Sequence, residues 1–338
     1  MYKKYQSNPE LYVFPFIIHE KNKDREIITY NDNNNGLAFR HYHEKLLIKL
    51  NAFPSSNNSY AYKEHSSTKK ALMPHLESNL FIKMDIKSFF ESITFEKFCD
   101  QISKYSNILN DANITMDQIK DCFYNDHVSL GYVTSPKISD MFLYDLDIAL
   151  LESLNKFEKI KYSRYCDDIL ISTKDNDFGE LLTFKAIIEE NLEKIGLSLN
   201  QKKIQKFDLS INPSVHFLGL NISKDINNQG KNKISVSKSF ILKTIDLIER
   251  LIKYKNLYID TYKKYKSQNK DKLMLENNDE YLSYEDIKNM EKIYKSKYSI
   301  VNARICYIKY NSEFSYKKLK TKFKNRLGLE WNNKLWHL

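Results

Sequence analysis

The sequence predicts an α+β fold that is followed by an all-helical segment. Between about residues 80 and 225, short strand-like runs alternate with longer helical stretches, as expected of a sheet with helices packed on it. From about residue 237 onward only helical periodicity remains. The 338 residues are enough for one large domain or two to three modest ones, each with its own core.

The first eighty residues predict a small mixed lobe. Apolar runs rich in β-branched and aromatic residues indicate two strands, an Asn-rich cluster indicates a turn, and a helical pattern follows. In chain order these segments read LYVFPFII, REIITY, NDNNNG and HYHEKLLIKLNAF.

The central part of the chain predicts a sheet with helices, and the C-terminal part predicts helices alone. The central strand-like runs are LFIKMDI, DILIST and VHFLGLNI, and the central helical stretches are SPKISDMFLYDLDIALLESLNKF and ELLTFKAIIEENLEKIG. The clearest C-terminal helices are ILKTIDLIERLIKY and MEKIYKSKYSIVNARICYIKY, and the polar NNDE at residues 277–280 predicts a loop between them.

Positive charge is concentrated in the C-terminal third. The net charge is +10. From Lys231 onward there are roughly 25 Lys and Arg against 12 Asp and Glu, whereas the preceding part has roughly 28 against 31. The basic, tyrosine-rich stretch KYKNLYIDTYKKYKSQNKDK is typical of a surface that follows nucleic-acid phosphates. A solvated lysine face is the alternative.

Several classes of protein are disfavoured by composition. The four cysteines are scattered without CxxC spacing, so neither a zinc site nor a disulfide framework is indicated, and a reducing cytoplasm fits best. No apolar run approaches the ~18 residues that a membrane span needs. The polar start MYKKYQSNPE resembles neither a signal nor a transit peptide. We therefore expect a cytoplasmic protein without a membrane partner.

Three aspartates stand where predicted strands end. The segment KYSRYCDDILIST predicts a hairpin with Asp167 and Asp168 near its turn, and LFIKMDI predicts a strand that carries Asp85 near its end. Adjacent carboxylates repel one another and raise each other's pKa values, so a nearby cation favours such a pair. Asp-Asp pairs are also common at exposed turns, and Asp85 is the second signal that favours a functional site.

These carboxylates suit two-metal phosphoryl transfer. That chemistry needs carboxylates from separate strands around hard cations, one activating the attacking 3′-hydroxyl and one clamping the leaving pyrophosphate. Magnesium prefers oxygen ligands and retains waters, so no His or Cys is required. The sequence therefore predicts two Mg²⁺ ions, with Mn²⁺ as an alternative.

Six motifs, in order over about residues 20 to 225, resemble those of the reverse transcriptases. YCDD at residues 165–168 resembles the Tyr-x-Asp-Asp box of that family, and FIKMDIKSFFESI resembles its first catalytic motif. The other four are SYAYKEHSSTKKAL at 59–72, similar to the Tyr-Gly-Phe-Arg segment of group II intron enzymes; GYVTSPKISDMFLYDLD at 131–147, similar to the template and nucleotide motif with its Ser-Pro turn; GLSLNQKK at 196–203, similar to the Leu-x-Leu-Asn-x-x-Lys motif; and HFLGL at 216–220, similar to the primer grip.

The resemblance implies roles for the residues of the metal site. Asp85 and Asp167 would ligate both metals, Asp168 would assist, and the carbonyl of Ile86 would add an oxygen. Lys203 would lie near the departing pyrophosphate, although an exposed lysine is an equally simple interpretation.

The resemblance also implies roles in substrate binding. Phe90 matches the steric gate that rejects a ribose 2′-hydroxyl, with a core phenylalanine as the alternative. Arg25 matches the position that grips the triphosphate, and a surface salt bridge is its alternative. Ser135 opens the helix of the nucleotide motif. The primer-grip positions are Phe217, Leu218 and Gly219.

The architecture implied is a right-hand polymerase. Fingers would occupy residues 1–80, a palm with an antiparallel sheet residues 81–230, and a basic all-helical thumb residues 231–338. The thumb would grip an RNA or hybrid duplex through its backbone and A-form shape. The implied partners are an RNA template, expected to be a non-coding RNA, the DNA product and dNTPs; a homo-oligomer or a partner protein stays open.

Departures from the family pattern indicate which kind of reverse transcriptase the chain resembles. Ser129-Leu130-Gly131 stands where most relatives have Pro-Gln-Gly, and Ser139-Asp140 replaces Ala-Asn. FLGLNIS stands where retron enzymes carry Val-Thr-Gly, and we expect no maturase or endonuclease domain after the basic helices. The chain most resembles stand-alone, abortive-infection or other defence-associated bacterial reverse transcriptases, which implies RNA-directed DNA synthesis in antiphage defence.

Three alternatives remain open. The first is a retron-type reverse transcriptase. The second is template-independent or protein-primed DNA synthesis by the same fold, which the missing Gln before the Ser-Pro turn keeps open. The third is a non-catalytic RNA-binding scaffold, against which the intact set of aspartates argues.

Overall fold

A computed structural model describes residues 8–19, 24–225, 231–270 and 283–331, with side chains in the third range described as far as residue 267. The predicted loop at 277–280 lies outside these ranges. So do the first seven residues of the predicted fingers and the last seven of the predicted thumb.

Eleven strands are described. They are β1 (Val13–His19), β2 (Asp24–Tyr30), β3 (Leu80–Asp85), β4 (Phe123–Tyr124), β5 (His127–Val128), β6 (Ile160–Tyr165), β7 (Asp168–Thr173), β8 (Gln205–Asp208), β9 (Val215–Phe217), β10 (Leu220–Lys224) and β11 (Asn232–Val236).

Twelve α-helices are described. They are α1 (Asn34–Leu50), α2 (Thr68–Leu72), α3 (Phe89–Ser92), α4 (Phe95–Ile102), α5 (Ser106–Asp111), α6 (Met116–Lys120), α7 (Ser135–Phe142), α8 (Tyr144–Leu154), α9 (Gly179–Lys194), α10 (Lys238–Lys270), α11 (Tyr284–Asn311) and α12 (Glu313–Leu327). None of these helices has both the length and the apolar character needed to span a bilayer.

A four-stranded antiparallel sheet forms the centre of the chain. Its strand order is β6-β7-β3-β8. The two central strands are buried almost throughout, with the patterns expected of strands covered on both faces. The helices α4, α7, α8 and α9 contribute buried apolar residues to the same core. The α+β class predicted from the sequence is therefore confirmed.

A separate hairpin of β1 and β2 packs on a smaller aromatic core. Tyr30 stacks on Tyr132 with ring centroids 5.5 Å apart, and Phe39 of α1 lies against both rings. Gly131 adopts φ +112°, and a Cβ there would lie 2.4 Å from the Ile28 carbonyl oxygen. Only glycine fits such a close approach at positive φ, so the hairpin fixes the loop before the Ser-Pro helix.

The chain divides into two compact units. One comprises Met1–Val215 with Lys224–Asn232, and the other His216–Ser223 with Lys233–Leu338. The second unit contains the helices α10, α11 and α12, which pack on one another. Arg304 of α11 lies over the ring of Phe240, 3.8 Å from its centroid, and donates to the Thr244 hydroxyl. The fingers, palm and thumb boundaries stay predictions.

Two predicted elements are divided in the structure. The run VHFLGLNI forms two strands, β9 and β10, because Leu218 (φ 53°) and Gly219 (φ 79°) both take the left-handed conformation that tight hairpin turns require. The long helix predicted after the Ser-Pro turn becomes α7 and α8, which part at Leu143, where ψ is 2°.

Candidate active site

The predicted hairpin with the paired aspartates is confirmed. Tyr165 at the end of β6 lies opposite Asp168 at the start of β7, so Cys166 and Asp167 form a two-residue turn. Cys166 has φ 60°, a left-handed conformation that a non-glycine residue rarely adopts. The turn is tight because β6 and β7 remain paired up to Tyr165 and Asp168, the residues on either side of it.

The third aspartate is brought to the same end of the sheet. Asp85 is the last residue of β3 and lies opposite Asp168 in the antiparallel register with β7. The amide of Ile86 donates to the Asp167 carbonyl at 3.0 Å. Because the two strands are joined at this point, Asp85, Asp167 and Asp168 are neighbours, as the sequence predicted.

Burial and neighbouring carboxylates raise the pKa values of Asp167 and Asp168. Burial, followed by the charge of Asp167 and more weakly that of Asp85, raises the pKa of Asp168 to about 6. Burial and the charge of Asp85 also raise the pKa of Asp167 above its ordinary value. Keeping these carboxylates ionised and close together is therefore energetically unfavourable, and a bound cation would stabilise them.

Lys203 is the cation nearest Asp85 in the described site. Its Nζ donates to both carboxylate oxygens of Asp85, at 2.8 and 3.0 Å. The Asn200 amide, in the same motif, donates to the Asp85 carbonyl at 2.8 Å. The lysine side chain is half exposed, so solvent screens the ion pair and the ammonium group can move.

The donor set fits a hard divalent cation. Within the described ranges, no three His, Cys, Asp or Glu side chains lie close enough together to hold a metal ion as they stand. At Asp85 both oxygens accept from Lys203, so a metal ion has to compete with that ammonium group. The candidate ligands, three carboxylates and the Ile86 carbonyl, are all oxygen donors, the type that magnesium prefers, and repulsion between the carboxylates favours the binding of cations.

Because the pKa of Asp168 is raised, ionisation of this carboxyl at high pH should destabilise the folded, metal-free protein. A carboxyl whose pKa is raised on folding contributes stability below about pH 4, and this contribution is lost as the pH rises through about 6. Asp168→Asn should therefore raise the melting temperature by a few degrees at pH 8 in EDTA. The gain should shrink as the pH falls below 6. An equal gain at pH 4 and pH 8 would contradict the repulsion argument.

The other predicted residues of the first unit have defined places. Phe90 is half buried, packs on the main core and has its ring centroid 5.3 Å from that of Phe89. The Ser135 hydroxyl is buried and donates to the Ser129 carbonyl at 2.6 Å. Arg25 lies exposed on β2, opposite Ile18 of β1. Their roles in nucleotide binding stay predictions.

The predicted primer grip lies in the second unit. Phe217 is fully buried at the end of β9, and Leu218 and Gly219 form the turn to β10. A Cβ on Gly219 would lie 3.4 Å from the Tyr307 hydroxyl of α11. The turn is thus held against a helix of its own unit, and its role as a primer grip stays a prediction.

A buried ionic cluster next to the turn was not predicted from the sequence. Arg164, which precedes the YCDD box, has its side chain 1% exposed and pairs with Asp147 at 2.6 Å and Asp140 at 2.9 Å. The sequence gives little signal for it, because the strand IKYSRY carries both the exposed Lys161 and the buried Arg164, and only the structure shows which of the two has buried charged partners.

Comparisons with known proteins agree with the motifs. The family model described as "Reverse transcriptase (RNA-dependent DNA polymerase)" matches residues 38–222, which is more than half of the chain. The Retron Ec73 reverse transcriptase of Escherichia coli is 28% identical over 233 residues, covering 60% of this chain and 72% of that protein. The Retron Ec86 reverse transcriptase of Escherichia coli is 23% identical over 154 residues, covering 46% of each.

A solved structure is also similar. Apo telomerase from Candida tropicalis, truncated from its C-terminal domain, has a TM-score of 0.48 and 15% identity, covering 67% of this chain and 55% of that one. The two curated relatives named above are retron enzymes, so the retron type stays compatible with the motifs although the Val-Thr-Gly signature is replaced. The matched region contains the three aspartates, the Ser-Pro helix and Lys203. The chain therefore belongs to the reverse transcriptases, the family of RNA-dependent DNA polymerases.

Proposed function

We propose that this chain copies an RNA template into DNA at the site formed by Asp85, Asp167 and Asp168, with two magnesium ions. The observation that carries the proposal is the register of the central sheet, which places Asp85 opposite Asp168 and joins Ile86 to Asp167. Asp85 and Asp168 lie on two strands paired through their backbones, and Asp167 lies in the two-residue turn directly before one of them, so the carboxylates are held by the sheet and its tight turn rather than by a long loop.

The three aspartates, with the Ile86 carbonyl, would hold the ions. When bound, two magnesium ions activate a 3′-hydroxyl for attack and neutralise charge at the leaving pyrophosphate. The buried side of the site limits water access to the carboxylates, which strengthens the electrostatic interactions made there. Lys203, released from Asp85 when a cation binds, would donate hydrogen bonds to the pyrophosphate oxygens.

Substrate and primer binding are assigned to further side chains. Phe90, four residues beyond Ile86, would lie against the sugar and exclude a 2′-hydroxyl, so that deoxynucleotides are used. Ser135 and Arg25 would contribute to binding of the incoming nucleotide. The turn of Phe217, Leu218 and Gly219 would hold the primer strand.

Primer extension on a defined RNA template tests the proposal directly. The purified protein should add dNTPs to an annealed primer in the presence of Mg²⁺ and stop in EDTA. Product sequence should follow the template. A product that is insensitive to template sequence and to removal of RNA would instead support template-independent or protein-primed synthesis, and no incorporation at all would support the RNA-binding scaffold.

The biological setting we propose is bacterial antiphage defence with an associated non-coding RNA. Two features support it: the motif departures, which resemble the defence-associated enzymes, and the similarity to retron reverse transcriptases. Sequencing nucleic acid that co-purifies with the chain, before and after ribonuclease treatment, would identify the RNA and its DNA copy. Phage plating on cells with the wild type or Asp167→Asn tests the defence role, and equal plating would contradict it.

The basic second unit is proposed to bind the template–primer duplex. Lys263, Lys264 and Lys266 are exposed on α10. Tyr254 instead packs between helices, with its hydroxyl 3.5 Å from the Met290 carbonyl of α11. Tyr262 is exposed and has Lys266 over its ring at 5.0 Å, so Tyr262 is the better candidate for contact with nucleic acid.

Changing Lys263, Lys264 and Lys266 together to Gln should weaken duplex binding and its salt dependence. Each lost phosphate contact should reduce the slope of log affinity against log salt by about 0.7 to 0.9. Titration of a labelled RNA–DNA duplex at several salt concentrations measures both quantities. The control replaces the exposed Lys156, Lys159 and Lys161 of the first unit with Gln, at the same change in net charge. If the two triple variants behave alike, the α10 lysines form only a solvated face.

A further inference from the structure

The Arg164 side chain donates five hydrogen bonds to three residues although it is fully buried. Its guanidinium Nε donates to Asp147 Oδ1 at 3.0 Å and Oδ2 at 3.2 Å, and Nη2 donates to Asp147 Oδ2 at 2.6 Å. Nη2 also donates to Asp140 Oδ1 at 2.9 Å. The remaining nitrogen, Nη1, donates to the carbonyl of Cys166 at 3.1 Å. The last contact reaches the turn that carries the catalytic aspartates.

The two carboxylates fix the arginine from separate helices. Asp140 lies on α7, which begins at Ser135, and Asp147 lies on α8. Asp140 also accepts from the hydroxyls of Ser55 and Ser59, both at 2.6 Å. Although burial opposes it, Arg164 together with these hydroxyls holds the pKa of Asp140 below its usual value. The guanidinium is therefore held in place by charged, hydrogen-bonded partners.

The backbone of Arg164 is held as well. Its amide donates to the Asn58 carbonyl at 2.8 Å, and its carbonyl accepts from the Tyr60 amide at 2.9 Å. Residue 164 thus connects the segment around Tyr60, the helices α7 and α8, and the turn after β6. No other described side chain within this cluster donates to the Cys166 carbonyl.

The turn needs such support because of its backbone. Cys166 is not a glycine, and its left-handed conformation is one that non-glycine residues rarely adopt. A carbonyl in such a turn changes direction with small changes in φ and ψ. The hydrogen bond from Arg164 Nη1 holds the direction of the Cys166 carbonyl. Because Asp167 is the next residue along the chain, its backbone is held in the same way.

We propose that Arg164 is a positioning residue that fixes the Cys166–Asp167 turn and so sets the directions in which Asp167 and Asp168 present their carboxylates. The inference rests on the proposed function of these aspartates as metal ligands. It further assigns to Asp140 and Asp147 the task of holding the guanidinium at the angle from which Nη1 reaches the turn. Lysine cannot replace arginine here, because one ammonium group cannot serve two carboxylates and a carbonyl in a plane.

Two cysteines provide a readout of the turn that does not depend on activity. Cys166 is 7% exposed and Cys122, in the same unit, is fully buried. Both thiols are buried, so their reactivities in the wild type are comparably low. Alkylation followed by peptide mass spectrometry reports each thiol separately. Cys122 reports global unfolding, and Cys166 reports the turn.

The principal variant is Arg164→Lys. The rate of Cys166 alkylation should rise at least roughly tenfold while Cys122 stays protected. Mn²⁺ binding without nucleotide, measured by the electron paramagnetic resonance of free Mn²⁺, should weaken by roughly 10- to 100-fold, the usual effect of removing a group that orients metal ligands. Each titration is made well below the melting temperature of the variant, because an unfolded fraction would itself raise the apparent dissociation constant.

Tyr162→Phe is the matched control. Tyr162 is buried in the same cluster and donates to Asp147 Oδ1 at 2.7 Å, but it makes no hydrogen bond to the Cys166 carbonyl. This variant should melt at a lower temperature while keeping wild-type Mn²⁺ affinity and a wild-type ratio of Cys166 to Cys122 alkylation. The inference is overturned if Tyr162→Phe matches Arg164→Lys in both readouts, or if Arg164→Lys leaves either readout unchanged.

Failure of the proposed function would look different. If the wild type neither binds Mn²⁺ nor extends a primer, the metal-site proposal is wrong, whereas the alkylation ratio still decides whether Arg164 holds the turn. If the wild type does both and Arg164→Lys keeps the wild-type Mn²⁺ affinity, only the inference about Arg164 is wrong.

Discussion

DNA synthesis by the Asp167→Asn variant is expected to fall by about 10³-fold or more, and Asp85→Asn should have a similar effect. Each change removes one negative charge from a site whose proposed catalysis is mostly electrostatic. Asparagine is nearly the same size as aspartate, so the strand pairing between Asp85 and Asp168 should persist. The loss should therefore come from weaker cation binding rather than from a disrupted fold.

Rate measurements at saturating template–primer, combined with thermal unfolding, check this expectation. Asp177→Asn is the control, because Asp177 is exposed and lies outside the site. The control should retain wild-type activity. In EDTA the Asp167→Asn variant should melt at or above the wild-type temperature, because it relieves repulsion among the carboxylates, whereas Asp85→Asn also loses the ion pair with Lys203 and should melt near the wild-type temperature. Activity within tenfold of wild type in either site variant would contradict the assignment of the metal ligands.

The convergence of the aspartates could be predicted because its causes are local. The β-branched run after Asp168 and the apolar run before Asp85 both indicate strands, and the aspartate pair in KYSRYCDDILIST indicates the turn of a hairpin. The alignment of Asp85 with Asp168 depends on register, which periodicity alone does not give. The family motifs supplied the expectation that these strands meet.

The buried cluster could not be predicted for the opposite reason. Arg164 meets Asp147 and Asp140 across 17 and 24 residues of chain, and its backbone bonds to a segment about a hundred residues earlier. Such partners follow from the packing of α7 and α8 beside β6. The sequence shows only an arginine before YCDD, and nothing in it separates a buried ion pair from an exposed charge.

The prediction of a single strand at the primer-grip motif was wrong because of the local backbone conformation. A run of apolar residues such as VHFLGLNI reads as one strand, since leucine rarely takes positive φ. Leu218 and Gly219 nevertheless both do so, and the chain reverses between them. The single glycine was the available signal for a turn, and the leucine beside it concealed that signal.

Phe90→Ala is expected to reduce the preference for dNTPs over rNTPs by about 10²-fold. In the proposed site the ring fills the space that a 2′-hydroxyl would occupy, and alanine leaves that space empty. The structure supports a partly available ring, because Phe90 is half buried whereas its neighbour Phe89 is 3% exposed. The discrimination ratio is measured as kcat/KM for dCTP over that for CTP on one RNA template.

Phe89→Leu is the matched control for that measurement, since the two rings are adjacent in the chain and in contact. Removing part of the buried Phe89 ring should cost stability through a core cavity and should leave the ratio at its wild-type value. Phe90→Ala should show the reverse pattern, with a large change in the ratio and a smaller change in melting temperature. If Phe90→Ala lowers the melting temperature as much as Phe89→Leu and leaves the ratio unchanged, Phe90 is a core residue, and another side chain must exclude ribonucleotides.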